Sequence, residues 1–100
     1  MVHVGLLARI LAKPGKQDEV AAFLKSALPL AQAEAATTVW FAIRLSDREF
    51  GIFDAFPSDD GRKAHLSGPI AAALMAKASE LLSEPPKIEQ VDILAAKLHA

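Results

Sequence analysis

The spacing of apolar residues along this chain switches from every second position to helical spacing and back, twice, and that rhythm restricts the fold more than any single motif. From Val2 to Ala12, the residues Val2, Val4, Leu6, Ala8, Ile10 and Ala12 alternate with His3, Gly5, Leu7, Arg9 and Leu11, as in a strand with one apolar and one mixed face. Lys13-Pro14-Gly15 ends it as a turn. From Lys16 to about Glu34 the stripe Val20, Phe23, Leu24, Ala27, Leu28 and Ala31 has helical spacing. Pro29 lies inside that stretch and has no N–H for the turn before it, which predicts a kink between Lys25 and Pro29.

Thr37–Leu45 and Glu49–Phe56 are rich in β-branched and aromatic residues and flank Ser46-Asp47-Arg48, the pattern of a hairpin. If a two-residue turn pairs Ser46 with Glu49, then Val39, Phe41, Ile43 and Leu45 share a face with Phe50, Ile52, Asp54 and Phe56. Trp40, Ala42 and Arg44 then share the other with Gly51, Phe53 and Ala55. A three-residue turn inverts this parity. Pro57-Ser58-Asp59-Asp60 opens a short helix, with Ser58 as its cap and two acids near its positive end. After Gly68-Pro69 a longer helix turns Ile70, Ala73, Leu74, Ala78, Leu81 and Leu82 inward and closes at Pro85-Pro86. A last strand spans about Lys87 to Ala96 through Val91, Ile93 and Ala95. The order β-α-β-β-α-β is the split βαβ arrangement, an α+β fold with helices on one face of an antiparallel sheet.

A chain of 100 residues and 10.6 kDa leaves room for one domain, residues 1–100. Lys plus Arg number 11 against 12 Asp plus Glu, with no basic stripe, so nucleic acid is not an expected partner. There is no cysteine, which removes disulfides, thiol nucleophiles and thiolate metal sites and fits a reducing, cytoplasmic setting. The longest apolar run, Ile70–Ala76, is far short of the roughly 20 residues of a membrane span, and no signal peptide is read at the N-terminus. Two helices cover one sheet face, yet in the two-residue register the other face carries Leu7, Leu11, Trp40, Ala42, Phe53 and Ala55. That surface is too apolar for water and predicts a homodimer with its sheets facing each other across a two-fold axis.

The stretch Ala12–Lys16 (AKPGK), the acidic Glu34 ahead of the second strand, and above all Phe53–Pro69 (FDAFPSDDGRKAHLSGP) resemble the antibiotic biosynthesis monooxygenase family. The resemblance implies a ferredoxin-like protomer, a dimeric α+β barrel, and pockets within each protomer between sheet and helices. By position, Asp54 matches the family's usual Glu at the strand end, Phe56 its usual Trp, and His65 the His of the short helix. Glu34-Ala35-Ala36-Thr37 stands where Glu-Pro-Gly-Cys is common. The haem-degrading members use an Asn, a Trp and a His, where this chain has Ala8, Phe56 and His65, so haem binding and degradation are not expected.

His65 is the candidate general base, because imidazole exchanges protons near neutrality; the competing reading is a helix histidine packing its edge on the sheet. Asp54 is the candidate that orients it, against a carboxylate at the surface or bonded to a cap. Phe41, Phe50, Ile52 and Phe56 are the candidate walls of a substrate pocket. In the same register Trp40 anchors the dimer and Arg44 pairs with a carboxylate of the second chain. His3 and His99, near the termini, are assigned no role, and no metal or nucleotide motif is present. Two functions remain open. One is a cofactor-independent monooxygenase that deprotonates a small quinol or phenolic compound so that the anion reduces dioxygen. The other is a non-catalytic dimeric module that binds a small apolar or aromatic ligand, or serves in stress. Whether His65 and Asp54 face an enclosed pocket separates them.

Overall fold

The structure, a computed structural model, describes residues 1–98; His99 lies outside them. Its elements are β1 (Val4–Leu11), α1 (Gln17–Ser26), α2 (Leu28–Ala33), β2 (Val39–Arg44), β3 (Glu49–Phe56), α3 (Asp59–Leu66), α4 (Pro69–Leu81) and β4 (Lys87–Asp92). The strands form one sheet in the order β2-β3-β1-β4, and every neighbouring pair is antiparallel. This is the ferredoxin-like α+β fold. Gly15, at φ 82°, makes the turn after β1 in a conformation that side-chain-bearing residues rarely adopt.

The expected kink is a break. α1 ends at Ser26 and α2 begins at Leu28, which places Pro29 in the first turn of a new helix, where no N–H is required. Ser58 occupies the cap position of α3 but its side chain makes no capping hydrogen bond. The last strand stops at Asp92 rather than reaching Ala96.

The larger correction concerns the hairpin. Leu45 and Ser46 both donate their N–H to the Glu49 carbonyl, and Arg44 stands opposite Phe50. Three residues therefore form the loop, and the parity is inverted relative to a two-residue turn. Trp40, Ala42 and Arg44 lie beside Asp54, Ile52 and Phe50 on the helix-covered face, while Phe41 and Ile43 lie beside Phe53 and Gly51 on the open one. Phe41 is thus no pocket wall. Trp40 packs instead under α2 against Ala27 and Ala31 and against Ile70 of α4. Arg44 sits over the Phe50 ring at 5.0 Å and donates to the carbonyls of Ser46 and Asp47, its own hairpin, on the helix-covered face rather than the face expected to meet a second chain.

The main core lies between the sheet and the helices, where Ala8, Ile10, Phe50 and Ile52 meet Val20, Leu24, Leu74 and Leu81. On the opposite face Phe41 is 57% exposed and Ile43 is exposed, with Leu7 and Phe53 paired across the centre of the sheet. The open apolar face is therefore real, although β2 supplies it with Phe41 and Ile43 in place of Trp40 and Ala42.

Candidate active site

α3 is fixed to the sheet by its own sequence. Gly61 faces Ala36 and Phe56 so closely that a Cβ there would meet the Ala36 Cβ at 3.1 Å, so its absence lets the helix approach. One residue on, Arg62 reaches under the helix to the carbonyls of Gly5 in β1 (3.3 Å) and Val91 in β4 (3.2 Å), with Asp59 one turn earlier holding its guanidinium at 2.8 Å. His65 follows Gly61 by four residues and so shares its inward face.

There the imidazole is held on both edges. Its Nδ1 lies 2.6 Å from Glu34 Oε1, at the end of α2, and its Nε2 lies 2.8 Å from Asp54 Oδ2, near the end of β3. The Phe56 ring packs beside it at 5.4 Å between centroids. Asp54 is 2% exposed and His65 7%. Burial works against a charged imidazole, but the hydrogen bonds and charges of Asp54 and Glu34 outweigh it and raise the His65 pKa from 6.5 to about 9. At neutral pH the ring therefore carries both protons and donates both. It has no lone pair to offer, so the role of base expected for it does not fit this state.

Beside this cluster lies a narrow cleft of about 30 Å³, walled by Leu6, Ala8, Ile52, Ile70 and Leu74. Asp54 and His65 are its polar lining residues. Asp54 Oδ1, the oxygen not engaged with His65, is buried and has no hydrogen-bond partner, and neither have Glu34 Oε2 and Trp40 Nε1. A buried carboxylate oxygen without a donor costs free energy, so it attracts whatever N–H or O–H can reach it.

Of the residues chosen from sequence, the structure thus brings together Asp54, His65, Ile52 and Phe56, with Phe56 against the imidazole rather than in the cleft wall. Phe50 belongs to the main core and Phe41 to the other face. Glu34 was missed as a partner of His65: it lies 31 positions away in sequence, with no periodicity linking the two. Its place before β2 in the motif was the one available signal. Among the described residues no three histidine, cysteine or acidic side chains are grouped to hold a metal ion. Here the two carboxylates bind opposite edges of one ring and do not converge. No helix among them is long and apolar enough to cross a membrane.

Comparison with known proteins gives a consistent fold. The chain is 57% identical to the NE2512 protein of unknown function from Nitrosomonas europaea, covering all of this chain and 97% of that one with a TM-score of 0.98. A protein from Caulobacter crescentus known as a "putative antibiotic biosynthesis monooxygenase" matches with a TM-score of 0.78 at 21% identity, covering 94% of this chain and 92% of its own. A second protein so described, from Nitrosomonas europaea, matches with a TM-score of 0.82 at 12% identity, covering 92% and 99%. No protein-family model matches the chain, and no curated protein matches it either.

Proposed function

We propose that this chain, which belongs to one family with the NE2512 protein of Nitrosomonas europaea, is a cofactor-independent monooxygenase acting on a small quinol or phenolic compound. The fold it shares with proteins described as "putative antibiotic biosynthesis monooxygenase" supports this reading. The observation that carries it is Asp54: a buried carboxylate with one oxygen on His65 and the other unpartnered, beside an apolar cleft. A ring with one ionisable hydroxyl matches the chemistry of that lining, and the cleft of about 30 Å³ must widen to admit one. Its O–H donates to Asp54 Oδ1 and then yields the proton, and the electron-rich anion left behind reduces dioxygen. A quinol and one dioxygen give a hydroxyquinone and one water. One oxygen atom forms a new C–O bond where a ring hydrogen stood, the other leaves as water, and all the electrons come from the quinol, so no further reductant or cofactor enters.

In this scheme Asp54 is the base, and His65 is the positive charge that orients Asp54 and stabilises the anion as it forms. The experiment is oxygen uptake by metal-stripped protein with a panel of quinols. Asp54→Asn should lower the rate about 10²- to 10⁴-fold. Equal rates in wild type and variant overturn the role of Asp54, and no uptake with any quinol overturns the activity.

Two features weigh against catalysis and leave a non-catalytic module as the second reading: both His65 nitrogens are taken, and about 30 Å³ holds little more than one water. Ligand retention without oxygen uptake would select it. In either case the open sheet face, with Leu7, Phe41, Ile43 and Phe53, supports a homodimer joined sheet to sheet. An obligate interface of this kind buries roughly 2,000 Å² or more. A folded monomer at micromolar concentration in light scattering would overturn that.

A further inference from the structure

We infer that the groove between α1 and β2 binds a small apolar carboxylate, its hydrocarbon part on Leu24, Ala42 and Phe50 and its charged end between Lys25 and Arg44. The site is separate from Asp54 and His65 and does not depend on the activity proposed for them. α1 packs Val20 and Leu24 onto β1 and β3, whereas β2, paired to β3 alone, lies at the edge of the sheet. Trp40 is roofed by α2, but Ala42, two residues on, is exposed. Ala21 of α1 lines the same groove, and neither alanine has the bulk to close the gap, which leaves about 180 Å³. Leu24 and Phe50, both buried, form its floor. An engineered apolar cavity of ~150 Å³ in another protein takes benzene, so this groove has room for one ring or a short alkyl chain.

The rim selects the charge. Lys25 and Arg44 are the ionisable residues lining the groove, both are cations, and no carboxylate lies among them. A larger groove of about 510 Å³ at the hairpin end of the sheet sets three cations against three carboxylates and so favours neither sign. Arg44 is also held in place. Its Nε and Nη2 donate to the Ser46 and Asp47 carbonyls at 3.2 and 2.8 Å, and its guanidinium lies 5.0 Å over the Phe50 ring that floors the groove. Its Nη1 makes no hydrogen bond to a described residue and is left for a ligand. Asp47 Oδ1 stands 3.6 Å from Nη2, but that side chain is 78% exposed and lies outside the lining, so water screens it. A guanidinium fixed in this way loses little freedom when it binds an anion. Lys25, in the last turn of α1, adds the second cation from the helix side. A carboxylate carried by an apolar body answers both the floor and the rim, whereas a neutral ring leaves the two cations unpaired.

The test is a titration of the whole chain with benzoate, followed by the methyl shifts of Ala21, Leu24 and Ala42 in NMR, with benzamide, acetate and inorganic phosphate as comparison ligands. Benzoate should move these methyls saturably. The other three should bind about tenfold more weakly or less, because benzamide lacks the charge and acetate and phosphate lack the ring. Arg44→Gln should weaken benzoate about tenfold, the loss of one charge-assisted hydrogen bond, and Lys25→Gln, which removes an exposed cation, about threefold. Ala42→Leu should abolish binding by filling the gap. Ala42 is exposed on an edge strand, so this variant keeps its fold, and thermal melting checks it. Benzamide binding as tightly as benzoate overturns the role of the cations, and acetate or phosphate doing so overturns the apolar floor. Groove methyls that benzoate leaves unmoved, or an affinity unchanged in Arg44→Gln or in folded Ala42→Leu, overturn the site.

Discussion

Asp54 and Phe41 sit in neighbouring strands of one sheet, and their burial is the reverse of what their chemistry suggests: the carboxylate is 2% exposed and the phenyl ring 57%. One face of the sheet is covered by helices and the other by no element among the described residues. On the covered face even a charge is buried, because His65 brings a compensating charge and a hydrogen bond to it. On the open face an aromatic ring stays exposed because no described element packs over it. Burial here follows from what each face is covered by, and the two faces should respond to mutation in different ways.

The largest response belongs to the covered face. His65→Ala strands two carboxylates in the interior without their shared cation, and breaking a buried pair in this way costs about 3–5 kcal/mol. Urea unfolding should show a correspondingly lower midpoint; a change below about 1 kcal/mol would mean that the cluster is solvated and the contrast between faces is false.

A pH series probes the same cluster without mutation. The folded His65 pKa is raised to about 9 from 6.5, so the stability it contributes is complete below about pH 6.5 and is lost as the pH rises through 9. The loss should approach about 3 kcal/mol between pH 6.5 and 9.5. In Glu34→Gln the ring loses one of its two anions, so the fall should move to lower pH. A stability that is flat over this window in the wild type would contradict a charged imidazole.

On the open face, Phe41→Asp leaves the protomer's own core intact but places an unpaired carboxylate where the second sheet should dock. It should weaken the dimer by about 2 kcal/mol, roughly 30-fold in Kd, without loss of helical circular dichroism. Sedimentation velocity reads it. An unfolded variant rather than a folded monomer would mean that the open face stabilises the protomer itself.

The smallest response is at Trp40, where the indole N–H is buried without a partner. Trp40→Phe removes that unsatisfied donor and keeps a ring against Ala27 and Ala31, so stability should stay within about 1 kcal/mol of wild type. A larger loss would show that the N–H is bonded in solution.

How far the sequence could be read follows from which physical signals are local. Strand and helix order rests on periodicity, and each of those elements is found near its expected place. His65 and Asp54 were legible because a resemblance in Phe53–Pro69 pointed to both. The partnership with Glu34 was not, since it depends on the end of α2 meeting α3 in space. The assignment of Phe41 to the pocket failed for a reason of one residue. Ser46-Asp47-Arg48 is compatible with either loop length, and the loop alone decides which side chains of β2 face the helices. Nor could the charge state of His65 be anticipated from Asp54 alone, because Glu34 adds a second hydrogen bond and a second negative charge that also raise its pKa.

That three-residue loop also carries a consequence for how relatives of this chain can diverge. Most surface connections accept insertions and deletions freely, but here the loop length sets the parity of a whole strand. Losing one residue between Arg44 and Glu49 would turn Phe41 and Ile43 toward the core and send Trp40 and Ala42 outward. A drift in length at this hairpin is therefore tolerable only together with an exchange of small and large residues along β2. Among descendants of this sequence, the hairpin should keep its length even where its residues change.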